Sequence, residues 1–330
     1  MGADVGRGVT VARERMMRFG VPAAIAGVLA GIYLFASPAA HRSTSTMPDR
    51  LADSTFWRLS TDMSERGGYF RSDNFVGNEL ALQSVIPGLR RHIDTGGVYL
   101  GVGPDQNFTY IIALKPRMAF IVDIRRQNAM ELLMYKALLE LSTDRADFLS
   151  RLFARPRPGG LDSATDVDVL LSAYDHGSGD TARFDVNLAD ILHQLRVTHG
   201  FTLSAEDSAS IAFVYHAFYL GGPNLTYSFG QRGGRQGPFG FVPRAFGFGG
   251  RGGRPGMPTY STMMTGDDGA GRQLGYLATE LNFRTLQGYE RRNAIVPIVG
   301  DFAGPKALHD VGALVAAHRA TVDAFYTSNV

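Results

Sequence analysis

Short apolar runs separated by amphipathic stretches set the frame of this chain. Val98 to Val102 and Met118 to Val122 carry almost no polar alternation, the pattern of strands buried on both faces of a parallel sheet. Between residues 125 and 141, apolar positions at Met130, Leu133, Met134, Ala137, Leu138 and Leu141 recur every three or four residues, which predicts a helix crossing to the next strand. Ile295 to Val299 and Val322 to Tyr326 read as two further strands, joined by a helix from Pro305 to His318 with proline in its first turn. Pro297 lacks a backbone donor, so its strand belongs at a sheet edge.

Outside this frame lie three other kinds of segment. Residues 47–96 have apolar positions at Phe56, Trp57, Leu59, Leu80, Leu82, Val85, Ile86 and Leu89 and read as a helical lead-in covering the sheet. Residues 97–141 form the first half of a Rossmann-like domain and 293–330 its second half, which stops directly after the fourth strand and so reads as truncated. The intervening 142–292 are too many for a crossover loop and form an insertion, with helices expected over Phe184 to Val197 and Ala205 to Leu220. The expected fold is therefore α/β, a doubly wound, mostly parallel sheet with a large helical insertion.

Residues 1–46 stand apart. Arg7, Arg13, Arg15 and Arg18 precede an uncharged stretch from Phe19 to Ala40, the pattern of a signal peptide or a single membrane anchor with its N-terminus in the cytoplasm. The folded part is then anchored or exported; if translation starts at Met47, it is cytoplasmic.

The charge balance, 33 basic against 31 acidic residues, is too even to imply a polyanion partner for the molecule as a whole. A nucleic-acid contact is confined to residues 230–256, which hold eleven glycines, five arginines and no acid. Gln231 to Arg235 and Gly250 to Arg254 look like RGG segments, although a charged loop that cannot pack has the same composition. With no cysteine, thiolate metal sites and cysteine nucleophiles are excluded. His193, His199 and His216 lack metal spacing, and no metal is assigned.

The chemistry concentrates where the first strand turns. Gly101 and Gly103 allow the chain to turn sharply against a ligand, and Asp123 follows the second strand twenty residues after Gly103, where a Rossmann-type unit holds the carboxylate that meets a ribose. The other reading of Asp123 is a cap on the following helix.

This arrangement resembles the class I S-adenosylmethionine-dependent methyltransferases. The resemblance implies that Gly101 and Gly103 face the methionine part of the cofactor, Asp123 holds the ribose, Asp301 with Phe302 meets the adenine, and Ser328 with Asn329 faces the methyl group. More closely, the run from Gly97 to Asn107, the run Asp123 to Arg126 and the run Gly300 to Lys306 look like a family of bacterial hypothetical proteins with a methyltransferase-like fold. The pattern departs at two places: Tyr99 stands where an acid is usual, and Asp105 replaces the third glycine, so the methionine end would be held differently, with Asp105 beside it. The reading implied is a methyltransferase of unknown substrate with S-adenosylmethionine as cofactor and no assigned catalytic residue. Two alternatives stand beside it, a non-catalytic binding protein on the same fold and an NAD-dependent oxidoreductase.

Overall fold

The computed structural model describes residues 32–33, 45–70, 72–227 and 257–328. Its strands are β1 (Ile32–Tyr33), β2 (Val98–Gly101), β3 (Met118–Asp123), β4 (Ile295–Val299) and β5 (Val322–Tyr326). The helices are α1 (Asp53–Asp62), α2 (Ile86–His92), α3 (Gln106–Leu114), α4 (Arg126–Leu141), α5 (Arg145–Leu152) and α6 (Val167–Ala173), followed by α7 (Thr181–His193), α8 (Ala205–Gly221), α9 (Tyr260–Thr265), α10 (Glu280–Arg291) and α11 (Ala307–Ala317).

Four strands run parallel in the order β4-β3-β2-β5, and β1 pairs antiparallel with the outer side of β5. Every residue of β2, β3 and β4 is buried, which is why their sequences are continuously apolar. From β2 the chain steps through α3 and α4 toward β4, then returns past two strands to β5 through α11. Because such crossovers are right-handed, α11 lies on the face opposite α3 and α4. The described architecture is thus α/β and Rossmann-like.

Pro297 stands opposite Ile121 on β4, the edge strand that the proline requires. The outer side of this edge is covered by α1: Ser60 Oγ donates to the Pro297 carbonyl at 2.6 Å, and Ser64 Oγ accepts from the Val299 N–H at 2.9 Å. The far edge, expected to be bare beyond the fourth parallel strand, takes Ile32 and Tyr33 instead.

The lead-in differs from expectation. Among the described residues of 47–96 only α1 and α2 are helical; residues 64–70 and 72–79 are irregular, broken by Gly67, Gly68, Gly77 and by Asn74, whose φ is 50°. The insertion is helical and packs on α4. Asp180 caps α7, which runs into a π-type turn over Gln194–Thr198, and Ser204 with Asp207 closes a capping box on α8. Asp207 also receives Arg126 at 2.6 and 2.9 Å, pinning α8 to the first turn of α4.

The expected glycine-arginine loop, and with it any nucleic-acid contact, lies outside the described residues. Its flanks meet in an antiparallel bridge between Thr226 and Thr259. The expected membrane segment also lies outside them, apart from Ile32 and Tyr33. Among the described residues no helix is long and apolar enough to cross a membrane.

Candidate functional site at the carboxyl edge of the sheet

The carboxyl ends of the four parallel strands converge with the turn after β2, and the strap formed by the described residues of 64–79 meets all four in the order of the sheet. At β4 the Glu65 N–H donates to the Val299 carbonyl at 2.8 Å, while Glu65 Oε1 accepts from the N–H groups of Lys306 and Ala307 at the start of α11. At β3 the Gly68 N–H donates to the Ile124 carbonyl at 2.8 Å, and the Asp73 carbonyl accepts from Gln127 Nε2 at 3.1 Å and from Arg125. At β2 the Gly77 N–H reaches the Asp105 carboxylate. At β5 Glu79 Oε1 accepts from Ser328 Oγ at 3.0 Å. This strap carries Tyr69 and Phe70 on its outside, exposed by 67% and 42%.

Under the strap, the glycine turn is filled by the protein's own side chains. Asn107, buried in the first turn of α3, donates through Nδ2 to the carbonyls of Val102, Gly103 and Pro104 at 3.0, 3.1 and 2.8 Å. Its Oδ1 accepts from the Tyr99 hydroxyl at 2.9 Å and occupies the space that a Cβ on Gly101 would need. Gln106 lies between Gly103 and Gly77, where an added Cβ would meet its amide at 2.9 Å on either side. Gly103 also has a φ of 82°, which favours glycine. Tyr99, in the place of the usual acid, is thus an anchor for Asn107. In this conformation the turn holds Asn107 and Gln106 where the resemblance places the methionine part of a cofactor.

Asp105 is buried, with Oδ2 accepting from the Tyr276 hydroxyl at 3.0 Å; Tyr276 in turn bonds Tyr260 at 2.7 Å. Burial pushes Asp105 up to about 7, against the pull of these hydrogen bonds. The insertion therefore reaches the turn through two tyrosines. Glu131, on α4, is fully buried with neither carboxylate oxygen bonded. Burial raises it well above the usual carboxylate range; Arg125 opposes this, and Asp105, Asp123 and Asp73 reinforce it.

Asp123, at the end of β3, is almost wholly engaged by Arg125. Its Oδ1 accepts from the Arg125 N–H at 2.8 Å and Nε at 3.1 Å, and its Oδ2 from Nη2 at 2.9 Å. Arg125 also reaches Asn128 Oδ1 at 3.3 Å and lies over the Phe70 ring at 6.0 Å. The pair shapes the turn from β3 into α4, whose N-cap position, Arg125, has no side-chain cap. Any ribose at Asp123 has to compete with this guanidinium.

The remaining expected residues lie apart from this cluster. Asp301 is exposed and accepts from the Ala303 N–H at 2.9 Å, closing a turn of its own. Phe302 packs against Phe325 at 5.3 Å. Asn329 lies outside the described residues. Sequence reasoning missed Glu79, Arg125, Asn107 and Glu131. Arg125 stood two residues from Asp123, and Gly77 two residues before Glu79 marked a break in the lead-in; Glu131 had no local signal.

A second polar centre joins α1, α4 and the turn after α7. His199 places Nδ1 2.8 Å from Asp53 Oδ1 and Nε2 2.5 Å from Glu140 Oε2, while Lys136 Nζ donates to Glu140 Oε1 at 2.6 Å. Phe201 stacks on the imidazole and on Trp57. Desolvation pulls His199 down, but the hydrogen bonds and charges of Glu140 and Asp53 more than reverse it, so it is raised overall. Among the described residues no group of three His, Asp or Glu side chains is arranged to hold a metal ion.

A family model described as a domain of unknown function (DUF7790) matches residues 74–158. The matched stretch runs from the end of the strap through β2, β3 and α4 to α5 and includes Glu79, Asp105, Asn107, Asp123, Arg125 and Glu131. No curated protein matches the chain in sequence.

Proposed function

We propose that the chain binds an adenine nucleoside cofactor, S-adenosylmethionine before NAD, at the carboxyl edge of its sheet, and acts as a methyltransferase on an acceptor still to be identified. The observation that carries this reading is the parallel order β4-β3-β2-β5 with the turn after β2 and Asp123 at the end of β3 at one edge. In such sheets the strand order reverses between β2 and β5, and ligands enter the crevice outside the carboxyl ends at that point. Buried polar side chains converge there: Glu79, Asp105, Gln106 and Asp123.

The bound cofactor would supply an activated methyl group on its sulfonium. The chain's share is alignment and exclusion of water, which the strap provides by covering the edge. Entry requires residues 64–79 to lift and Arg125 to release at least one oxygen of Asp123. Phe70, over the Arg125 guanidinium, couples those two movements.

A second reading, a non-catalytic binding protein on the same fold, is favoured by Asn107, which fills the space above Gly101. Calorimetric titration of the purified chain with S-adenosylmethionine, S-adenosylhomocysteine and NAD tests both. Heat with the first two and little with NAD supports the cofactor; binding without methyl transfer to any acceptor supports the second reading; no heat with any of the three overturns the cofactor reading. Use of S-adenosylmethionine also requires the folded part to face the cytoplasm. A mature N-terminus at Met47 in soluble extract fits that requirement, and an exported domain does not.

A further inference from the structure

Glu79 and Gln106 meet at one point of the carboxyl edge. Glu79 is 9% exposed and comes from the strap; Gln106 is 4% exposed and comes from the first turn of α3. Both stand beside the Tyr326 hydroxyl at the end of β5, Gln106 through Nε2 at 3.5 Å and Glu79 through its carboxylate. Each nevertheless keeps one acceptor without a partner: Glu79 Oε2 and Gln106 Oε1.

The chemistry of this pair narrows what can satisfy it. A buried carboxylate needs a compensating positive charge, and buried acceptors need donors. Among the described residues no lysine or arginine forms an ion pair with Glu79, and the donors beside it, Ser328 Oγ and the Tyr326 hydroxyl, are both neutral. A neutral donor completes the hydrogen bonds but leaves the charge; a guanidinium is planar and wide. A primary ammonium group is compact, positive and carries three donors, enough for both free oxygens. Gly77 and Gly103 bring the backbone close on either side of Gln106.

We infer that Glu79 Oε2 and Gln106 Oε1 form a subsite for the ammonium group of a ligand bound at the carboxyl edge of the sheet, with the strap carrying its charged half. The inference rests on the proposed ligand site but not on the identity of the cofactor. Two sources share this chemistry, the amino-acid end of S-adenosylmethionine and an amine substrate. Because Glu79 belongs to the strap, binding of the ammonium group also fastens the strap over the site.

Calorimetry on the full chain separates the possibilities with three probes: S-adenosylmethionine, 5′-methylthioadenosine, which lacks the amino-acid end, and propylammonium chloride. If the cofactor supplies the ammonium, S-adenosylmethionine binds wild type at least tenfold more tightly than 5′-methylthioadenosine, and Glu79→Gln closes that gap without changing the affinity for 5′-methylthioadenosine. If an amine substrate supplies it, propylammonium binds wild type and not Glu79→Gln, whether or not either nucleoside binds. In that case the subsite stands even where the cofactor reading fails. Gln106→Met removes the second acceptor and should weaken the same probe severalfold, which keeps the test open if Glu79→Gln does not fold. The inference is overturned if none of the three probes binds wild type, or if neither variant changes any affinity.

Discussion

Asn107 Oδ1 occupies the space that a side chain on Gly101 would need, so the carboxamide itself requires glycine at this position. The same carboxamide holds the carbonyls of Val102, Gly103 and Pro104 and receives the Tyr99 hydroxyl. One glycine thereby allows one asparagine to organise the whole turn between β2 and α3.

Gly101→Ala should accordingly destabilise the fold. The methyl group must push Asn107 off its partners, combining overpacking with the loss of buried hydrogen bonds, an effect of about 2 to 4 kcal/mol. Denaturant unfolding measures it. Were Gly101 open toward a ligand, alanine would leave stability near wild type and reduce only binding.

The parallel sheet was legible because its strands are buried on both faces and therefore run apolar without interruption, and because Pro297 can be tolerated only at an edge. The strap was not legible. Residues 64–79 have no period, and their path is set by partners distant in sequence, from Gly68 with Ile124 to Glu65 with Val299 and Glu79 with Ser328. Of the site, Asp105 and Asp123 were visible because they follow strand ends. Glu131 was hidden because α4 is buried on nearly all sides, so a buried acid there disturbs no amphipathic pattern. Arg125 was visible but read as the start of a helix; its role depends on a side-chain geometry that spacing does not encode.

Asp105 should make stability fall with rising pH. Its folded pKa is raised from 3.8 to about 7 by burial, so the folded state retains a proton that the unfolded state releases in that window. The contribution is complete below pH 4 and is lost as pH rises toward 7, a change on the order of 4 kcal/mol. Asp105→Asn keeps an acceptor for Tyr276 and cannot ionise. Urea unfolding between pH 4 and 8 should show a flatter profile for the variant; parallel profiles would show that Asp105 does not titrate in the folded protein.

His199 should add a second loss at higher pH. Its folded pKa is raised above 6.5, so the bonds to Glu140 and Asp53 contribute fully below that value and fade as pH rises through the folded pKa. The acids Asp53 and Glu140 are lowered despite their burial, by their hydrogen bonds and by His199 and Lys136, so their contribution is present above about pH 4 and is lost on acidification. His199→Leu should remove the loss that begins above pH 6.5 and leave Glu140 to Lys136 and Gln194 alone. An NMR titration of the His199 ring provides a direct check, since a midpoint below 6.5 would contradict the network.

The Asp123–Arg125 pair decides whether the acid at the end of β3 is a structural partner, a ligand anchor or both. Both side chains are largely buried, so removing either leaves the other charged and unpaired, and Asp123→Ala and Arg125→Met should each cost about 3 to 5 kcal/mol. The double variant removes both charges and should be less destabilised than the sum of the two, by about 1 to 3 kcal/mol of coupling. Binding separates the remaining roles. If a ribose displaces Arg125 from Asp123, Arg125→Met frees the carboxylate and should preserve or tighten nucleoside affinity at temperatures where it remains folded, whereas Asp123→Ala should weaken it about tenfold or more, as expected for a charged acceptor lost from two hydroxyls. Equal affinities in all three proteins would leave Asp123 the partner of Arg125 alone, holding the turn from β3 into α4.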